Sequence, residues 1–445
     1  MGPSGALGGG RGQSDPGPAI KDPDTLPKKV ATIAALLLVS RLGSYIPLPG
    51  IDREAFRELV QGDGANSFLQ YVDRISGGSI SNFGLFTLGI VPVINASIVM
   101  QLLGSAIPGL KALQKDEGEA GRRQFNQYSR YAAVVFATVQ AVGLSSYIRA
   151  YAYDFDTAFL ASTSASLVAG SMFLMWIGEL ITAEGLSNGT SLLIFVSIIS
   201  SIPASFAQTI DQAQNSADGG TASIAAFVLA FLAIVTGVVC VQEAERRLPM
   251  VYSNQRTGGM NNPDMEANTY LPLKVNTSGV MPIIFASTLM SAPLQISALA
   301  QSEAGRKLVA LFVPGSAAYM PLTVVLIAFF NYFYTFVMLD PAEVATNLKK
   351  QGASLPGKRP GNQTSDYISN VLVKLTIAGS IFLGGLAITP ALVEKVSGLD
   401  SFRGFAGTSV LILVGVATDV SRKVKGQSAM DAYKKEGLEL DKTEL

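Results

Sequence analysis

The sequence predicts an all-α membrane protein, because it is poor in charged residues and rich in apolar runs. The chain has 445 residues, of which 49% are hydrophobic and 15% are charged, with 33 basic and 33 acidic side chains. A soluble chain is about 25% charged, so this one has too few ionic groups to cover a water-facing surface. A helix needs roughly 20 apolar residues to cross the bilayer, and the apolar runs suffice for roughly ten such helices.

Ten apolar segments have the length of a membrane span. In chain order they cover residues 30–47, 82–107, 128–148, 165–183, 190–209, 221–241, 275–296, 318–339, 368–388 and 404–421. An even number of spans places both termini on the same side. Of the 33 Lys and Arg residues, 24 fall on that side when Arg130 and Lys374, near the starts of their spans, are counted with it; 8 fall on the opposite side, and Arg41 lies within the first span. Because basic loops stay inside, both termini are predicted to face the cytoplasm or stroma.

Two short sequence matches, each five spans apart, indicate an internal repeat. The segment GIVPVINAS at 89–97 matches GVMPIIFAS at 279–287 at its Gly, Pro, Ile, Ala and Ser positions. The segment GTSLLI at 189–194 is answered by GTSVLI at 407–412. Because five is odd, the second half enters the membrane from the opposite side. The functional pathway of such inverted repeats lies at the repeat interface, often on helices interrupted by Gly and Pro.

The repeat defines the predicted domain organisation. Two inverted five-helix halves, 30–210 and 221–421, surround a central pore. Residues 1–29 are rich in Gly and Pro, lack an apolar run and are predicted to be a disordered tail. Residues 422–445 form a charged C-terminal tail.

Repeat-matched isoleucines are the candidate pore residues. Taken singly, an Ile in a span faces lipid or a neighbouring helix far more often than a pore, but the repeat would bring Ile94, Ile284, Ile194 and Ile412 to one axis. Ile is stiff at χ1 and offers no hydrogen-bonding atom. A ring of Ile would therefore form a narrow constriction that water leaves, which is a hydrophobic gate.

Other functional classes have less support in the sequence. The chain has no His, which removes His-ligated metal and haem sites and Ser-His catalysis, and Cys240 alone cannot form an internal disulfide. A secondary transporter, the alternative function, would bring polar groups to the midplane. An intramembrane aspartyl protease would need two facing carboxylates, such as Asp340 and Asp419, but these and Glu179 lie near span ends. We predict no catalytic residue, metal site or cofactor.

A short amphipathic helix is predicted before the second span. Phe68, Tyr71, Val72 and Ile75 follow the i, i+3, i+4, i+7 spacing of a helix face. Gly residues at 77–78 end this helix after two or three turns, which is too short to span. It is either an interfacial helix or a movable stopper for the constriction.

Two long connections lie on the side of the termini. They cover Gln242–Lys274 and Asp340–Tyr367, and both carry basic residues. Connections of this length are usually functional or disordered. Their basic residues are either orientation signals or a docking surface for a soluble partner.

Several motifs along the chain resemble those of one family. They are SRLG at 40–43, IPLPG at 46–50, SGG at 76–78, GEAGRR at 118–123, YLPLKVN at 270–276 and RPG at 359–361. Together they make the chain, from Val30 to Lys425, similar to the SecY family, the central subunit of the protein-conducting channel. The resemblance implies ten helices in an hourglass with a pore ring, a plug and a lateral gate between the second and seventh spans.

The resemblance also implies roles for individual residues. The pore ring falls on Ile90, Ile94, Thr190, Ile194, Ile284 and Ile412, where Thr190 departs from the usual aliphatic residue. The plug falls on Ser67, Phe68, Leu69, Tyr71, Val72 and Ile75, within residues 67–76. The lateral gate carries Asn95 and Gln101. Docking of a motor or ribosome falls on Arg246, Arg247, Arg256, Lys358 and Arg359.

The resemblance finally implies partners and a location. The implied partners are a SecE-type small subunit, a SecA-type motor ATPase, a translating ribosome and an insertase of the Alb/YidC type, with unfolded polypeptide as substrate and no specific nucleic-acid readout. No nucleotide-binding Gly-rich loop is present, so the driving energy would come from a partner. The segments QEAER at 242–246 and RGFAGTSVLI at 403–412 look closest to plastid, thylakoid-type members. A bacterial plasma membrane is the alternative.

Overall fold

The structure, a computed structural model, describes residues 26–56, 78–79, 82–115, 118–215, 220–252, 270–297, 312, 318–397 and 407–443. The helices of the first half are α1 (Leu26–Gly43), α2 (Val91–Ala106), α3 (Pro108–Lys115), α4 (Gly118–Tyr147), α5 (Thr157–Ala183) and α6 (Gly189–Asn215). Those of the second half are α7 (Gly220–Glu243), α8 (Met281–Ser297), α9 (Tyr319–Met338), α10 (Pro341–Lys350), α11 (Asn362–Ser397) and α12 (Gly407–Thr443). The fold is therefore all-α apart from short strands in the connections.

Four short strands form two antiparallel pairs. They are β1 (Glu245–Pro249), β2 (Val251–Tyr252), β3 (Tyr270–Lys274) and β4 (Ala353–Ser354). β1 pairs with β3, and β2 pairs with β4. A short 3₁₀ helix, Ile148–Tyr151, follows α4.

Each predicted span overlaps a helix, but α2 and α8, the helices of the second and seventh spans, begin later than predicted. Residues 85–90 and 275–280 form turns, and the helices start only after them. Pro92 and Pro282 are each the second helical residue. A proline is tolerated there because the first helical N–H groups have no intrahelical partner. These prolines therefore lie at helix starts and not in the middle of a span.

The tails adjoin helices directly. α1 begins at Leu26, so the last residues of the predicted disordered tail are helical, and residues 1–25 lie outside the described residues. α12 continues as one helix through the charged tail to Thr443.

Several described helices are long or apolar enough for a membrane protein. Three segments meet both the length and the hydropathy of a span: Thr157–Ala183, Tyr319–Lys350 and Asn362–Thr389. Four apolar helices among the described residues are shorter: Val91–Ala106, Gly189–Pro203, Val228–Glu243 and Met281–Met290.

The helices pack as two matching halves. In the first half α2 packs on α4, α4 on α5, and α5 on α6. In the second half α8 packs on α9, α9 on α11, and α11 on α12. α1 contacts α5, α6 and α12, and its counterpart α7 contacts α11, α12 and α6. Exchanging each of these helices with the one five spans away leaves the pattern unchanged, as a two-fold relation between the halves requires.

Besides the contacts of α1 and α7, two pairs of equivalent helices meet between the halves. α2 contacts α8, and α6 contacts α12. A single large hydrophobic cluster contains buried side chains from both halves. The pseudo-two-fold axis therefore passes between these four helices, through this apolar interior.

Candidate functional site

The second and seventh spans begin in the same way. Gly89 and Gly279 each adopt a positive φ, 57° and 65°, a conformation that glycine adopts at no steric cost. The carbonyl of the next residue, Ile90 or Val280, accepts the first backbone hydrogen bonds of the helix. The sequence repeat therefore corresponds to a repeated turn that starts α2 and α8 at equivalent points.

The start of α6 is fixed by a close approach to α5. The Gly189 N–H donates to Thr182 Oγ1 at 2.8 Å, and this hydroxyl donates to the Gly178 carbonyl at 2.8 Å. A Cβ atom on Gly189 would lie 1.9 Å from that carbonyl oxygen, so no larger residue fits. This contact sets the position of Thr190 and Ile194 on the first two turns of α6.

The six predicted ring residues lie within the first two turns of α2, α6, α8 and α12 or directly before them. Four are buried, with exposed fractions of 8%, 6%, 7% and 5% for Ile90, Ile194, Ile284 and Ile412. All four belong to the large hydrophobic cluster, and Ile94 packs against it. Thr190 is partly exposed. These isoleucines thus contribute to one apolar interior shared by the halves.

Val280 belongs with this set, although the sequence-based prediction omitted it. It is the repeat counterpart of Ile90 and lies buried in the same cluster. A Cβ on Gly415 of α12 would lie 2.5 Å from Val280 Cγ1, so the valine packs directly on the tenth span. The match of Gly89-Ile90 with Gly279-Val280 was the signal that could have identified it.

The predicted lateral-gate residues lie on α2, which contacts α8. Asn95 is buried, and its Oδ1 has no hydrogen-bond partner in the described part of the chain. Gln101 is partly buried further along α2. The repeat counterpart of Asn95 is Phe285, whose ring packs edge-on against Phe330 and Tyr334. The two facing helices therefore differ in polarity at equivalent positions.

The two long connections join into one folded surface. β1 and β3 make a hairpin within the first connection. β2 then pairs with β4 of the second connection, with Val251 opposite Ser354 and Tyr252 opposite Ala353. Leu248 and Leu273 of the hairpin share a small core with Ile368 and other residues of the second connection and α11. The docking candidates within the described residues, Arg246, Arg247, Lys358 and Arg359, are thus carried by a single platform.

Arg246 and Arg247 lie on β1 and are both exposed. Arg247 Nε is 2.9 Å from Glu245 Oε1, and its guanidinium lies 4.7 Å from the centre of the Tyr270 ring. The hydrogen bond to Glu245 raises the pKa of Arg247 above its ordinary value. Arg247 is therefore held against the hairpin.

Lys358 and Arg359 are exposed at the tip of the second connection. The Lys358 ammonium lies 5.6 Å from the centre of the Tyr367 ring. The backbone of Arg359 is held on both sides, because its N–H donates to Gln363 Oε1 at 3.4 Å and its carbonyl accepts from Thr364 Oγ1 at 2.9 Å. A fixed backbone thus presents an exposed guanidinium.

The remaining predicted site residues lie outside the described residues. They are the plug positions Ser67, Phe68, Leu69, Tyr71, Val72 and Ile75, and Arg256 of the first connection.

The three carboxylates near span ends have structural partners. Asp340 caps α10 by accepting from the Ala342 N–H at 3.1 Å. Glu179 Oε1 lies 2.7 Å from Arg130 Nε across α4 and α5. Asp419 Oδ1 lies 3.8 Å from the ammonium of Lys274. Helix capping and ion pairing therefore account for these groups.

Comparisons with known sequences agree with this architecture. Two matched halves of apolar helices, whose starts meet in a shared interior, define an α-helical membrane protein of the inverted-repeat class. The family model described as SecY matches residues 84–421. This chain belongs to the SecY family.

Curated relatives extend the match over nearly the whole chain. The chain is 47% identical over 409 residues to "Preprotein translocase subunit SECY, chloroplastic" of Spinacia oleracea, covering 92% of this chain and 74% of the relative. It is 48% identical to the Zea mays protein of the same name, covering 94% and 74%. It is 42% identical to "Protein translocase subunit SecY" of Synechococcus elongatus, covering 93% and 94%.

Solved structures show the same fold at low sequence identity. A chain of "The structure of a protein conducting channel" superposes with a TM-score of 0.64 at 19% identity, covering 92% of this chain and 94% of that one. A chain of "Sec61 in the Canine ribosome-channel complex from the endoplasmic reticulum" superposes with a TM-score of 0.61 at 19% identity, with the same coverage.

Proposed function

We propose that this chain is the central subunit of a protein translocation channel that conducts unfolded polypeptide across the membrane and releases apolar segments sideways into lipid. The observation that carries the proposal is the apolar interior at the starts of α2, α6, α8 and α12, in a chain of the SecY family. The chloroplastic relatives support a plastid thylakoid location, with the termini and long connections in the stroma.

The pore ring is proposed to seal the resting channel. Ile90, Ile94, Ile194, Ile284 and Ile412 present no hydrogen-bonding side-chain atom, so water gains nothing by staying between them. A dewetted constriction blocks ions without a binding site. Thr190 is the one polar member, and its hydroxyl makes that point of the ring the weakest part of the seal.

Lateral release is proposed to occur between α2 and α8. A segment of about 20 apolar residues gains free energy on leaving a wet pore for lipid, whereas each central charge costs about 2.5–3.5 kcal/mol on insertion scales. A seam between the halves that opens to lipid can therefore sort segments by partitioning alone. The contact of α2 with α8 is the seam that fits this role, and Asn95 and Gln101 of α2 are proposed to line it.

A stalled substrate tests the channel directly. A secretory chain stalled in transit should form crosslinks to a photoreactive residue at position 94 or 284. The matched control is position 381, because Ile381 on α11 is 72% exposed on the outer surface. Crosslinking at 381 as strong as that at 94 and 284 would contradict a central pathway.

The plug is proposed to be the segment of residues 67–76. The helix that the sequence predicts for this segment has an apolar face that suits a dry constriction, so deleting residues 67–76 should raise the ion conductance of the resting channel. Replacing Ile94 and Ile284 by Gly should have the same effect. Single-channel recording in planar bilayers measures both, and an unchanged resting conductance would refute the assignment.

The joined platform of the two connections is proposed to bind a SecA-type motor and a translating ribosome. Solved relatives with this fold include channels in ribosome complexes, and exposed arginines on a fixed backbone suit acidic protein and phosphate surfaces. The chain itself carries no nucleotide-binding loop, so these partners would supply the driving energy. A SecE-type small subunit and an insertase of the Alb/YidC type complete the proposed partners.

Arg359 provides a test of the motor site. Arg359→Glu should impair motor-driven transport more than co-translational insertion in reconstituted vesicles, because only the motor should rely strongly on that loop. Lys111→Glu makes the same charge change at an exposed site on α3, outside the two connections, and should leave both processes near wild type. Equal loss of both processes in Arg359→Glu would count against the assignment.

A further inference from the structure

Each half contains a third sequence match that has a direct structural role. The segment Ala-Gly-Ser-Met-Phe-Leu at 169–174 of α5 corresponds to Ala-Gly-Ser-Ile-Phe-Leu at 378–383 of α11. The two segments lie five spans apart, like the matches at the helix starts. Their glycines, Gly170 and Gly379, are both buried.

These glycines face equivalent points of the turns before α2 and α8. A Cβ on Gly170 would lie 2.2 Å from the carbonyl oxygen of Leu85, and a Cβ on Gly379 would lie 2.9 Å from that of Val275. Leu85 and Val275 are separated by 190 residues, the offset that also relates Gly89 to Gly279. In both halves, therefore, a glycine of the fourth span faces the same backbone carbonyl oxygen of the turn.

The other side of each turn residue is also held in the same way. The Leu85 N–H donates to the Ile46 carbonyl at 2.8 Å, just after α1 ends. The Val275 N–H donates to the Ala244 carbonyl at 3.0 Å, just after α7 ends. The N–H of each turn residue is thus fixed by the segment that follows α1 or α7. Its carbonyl oxygen is limited by a glycine on α5 or α11.

We propose that Gly170 and Gly379 are a matched pair of positioning residues that set how close the first turns of α2 and α8, with Ile90, Ile94 and Ile284, lie to the axis of the channel. The consequence for the seal rests on the proposed function, but the positioning itself does not. The opposing atom is a backbone oxygen, which no side-chain rotation can move. Carbon and oxygen atoms approach to about 3.3 Å, so a methyl group at Gly170 would require a shift of about 1 Å and one at Gly379 a smaller shift.

Gly170→Ala and Gly379→Ala test this proposal in the full chain. The matched control is Gly385→Ala, because Gly385 lies on α11 close to Gly379 but a Cβ there meets no atom within 4 Å. Two readouts are needed, one for position and one for the seal. A purely destabilising effect would lower the unfolding temperature without moving either readout for the folded protein.

Position is measured by electron paramagnetic resonance between spin labels at Leu103→Cys on α2 and Leu289→Cys on α8, with Cys240→Ser to remove the native thiol. Leu103 and Leu289 are both exposed, so the labels leave the interior intact. The distance distribution should change for Gly170→Ala, change less for Gly379→Ala, and match the parent for Gly385→Ala. Identical distributions for all three would overturn the proposal.

The seal is measured by single-channel recording without substrate. Overpacking of the usual size shifts a two-state equilibrium by roughly five- to a hundredfold, so the open fraction should rise by that order in Gly170→Ala and by less in Gly379→Ala. If Gly170→Ala does not fold, Gly379→Ala and Ser171→Ala carry the test. Ser171 Oγ donates to the Gly89 carbonyl at 3.0 Å, and losing this hydrogen bond would free the turn before α2 without steric overlap. An unchanged label distance in both Gly379→Ala and Ser171→Ala would overturn the proposal.

Failure of this proposal differs from failure of the proposed function. If wild-type protein gives no crosslink from position 94 to a stalled secretory chain, the translocation assignment fails while the label distances still test the glycines. If crosslinks form but the label distances do not respond, the glycine pair has no positioning role.

Discussion

The turns before α2 and α8 occupy equivalent places but are held by different chemistry. Phe86 of the first turn is buried against Gly43, and its ring stacks on Phe173 with centroids 5.9 Å apart. Its counterpart in the second turn is Asn276, whose Nδ2 donates to the Gly279 carbonyl at 2.8 Å. The first turn also receives two separate side-chain hydrogen bonds, from Ser171 Oγ to the Gly89 carbonyl at 3.0 Å and from Thr87 Oγ1 to the Gly84 carbonyl at 2.6 Å. The same backbone geometry is thus supported mainly by aromatic packing in one half and by a connected hydrogen-bond network in the other.

The polar support of the second turn extends into two helices. The Ser278 hydroxyl lies within hydrogen-bond distance of both Asn276 Oδ1 and Asn331 Oδ1 and shares its one proton between these acceptors. Asn331 of α9 is 1% exposed, and its Nδ2 donates to the Thr376 carbonyl at 3.2 Å and to Ser380 Oγ at 2.8 Å on α11. In the first turn the counterpart of Ser278 is Leu88, which has no such group.

This difference indicates which of the two helices, α2 or α8, moves more easily when they separate. Moving the first turn breaks aromatic packing and separate single hydrogen bonds, whereas a connected buried network loses several satisfied groups when one member moves. The turn before α2 should therefore move more easily than the turn before α8. We infer that, in the proposed lateral gate, α2 is the moving side and α8 the fixed side.

Phe86→Ala should have the largest effect. Truncating a buried Phe costs about 3–5 kcal/mol through lost contacts and the cavity left behind, and the loss would free the turn before α2. Thermal unfolding in detergent measures the stability. Phe329→Ala is the matched control, because Phe329 is 57% exposed on α9, and equal destabilisation by the two changes would show that Phe86 does not hold the turn.

Asn331→Leu should have the next largest effect. It keeps the volume similar but removes the partner of Ser278 and Ser380, at a cost of about 2 kcal/mol for buried polar groups left unpaired. Hydrogen exchange of residues 275–285 should then become as fast as that of residues 85–95. Asn347→Leu, at an exposed position on α10, should leave exchange unchanged. Exchange at 275–285 that stayed as slow in Asn331→Leu as in the wild type would show that the Asn331 network does not hold the second turn.

Sequence patterns predicted the helices and the repeat because both depend on local signals. Apolar length marks the spans, and the Gly and Pro of GIVPVINAS and GVMPIIFAS specify a turn followed by a helix start through their own backbone preferences. The matched pairs pointed in the same way to Ile94, Ile194, Ile284 and Ile412, which lie in or against one apolar cluster, although Val280 was omitted. Their role in a pore ring stays a prediction.

Other features depend on contacts that no local pattern encodes. The pairing of β2 with β4 joins two-residue strands about 100 residues apart, which are too short to show alternation. Gly170 and Gly379 gave a sequence match, but apolar helices produce short matches by chance, and only the closeness of Leu85 and Val275 shows what these glycines do. The unpaired Oδ1 of Asn95 likewise depends on what surrounds it.

Asn95→Leu should have the smallest effect, and of opposite sign. Asn95 Oδ1 is buried without a partner among the described residues, while its counterpart Phe285 is fully packed. Removing an unsatisfied amide should stabilise the resting contact of α2 with α8 by about 1 kcal/mol. Position 95 on α2 would then be apolar, like its counterpart Phe285 on α8.

The expected readouts are a higher unfolding temperature and a requirement for more apolar segments before lateral release in reconstituted vesicles. Asn126→Leu, at an exposed position on α4, should change neither. If Asn95→Leu lowered the unfolding temperature, the amide would be making a stabilising contact in the resting state, and the polarity difference between α2 and α8 would not favour opening. A higher unfolding temperature in Asn95→Leu, but not in Asn126→Leu, would instead show that the Asn95 amide weakens the resting contact of α2 with α8. A gate between a wet pore and lipid needs such a weak contact in order to open.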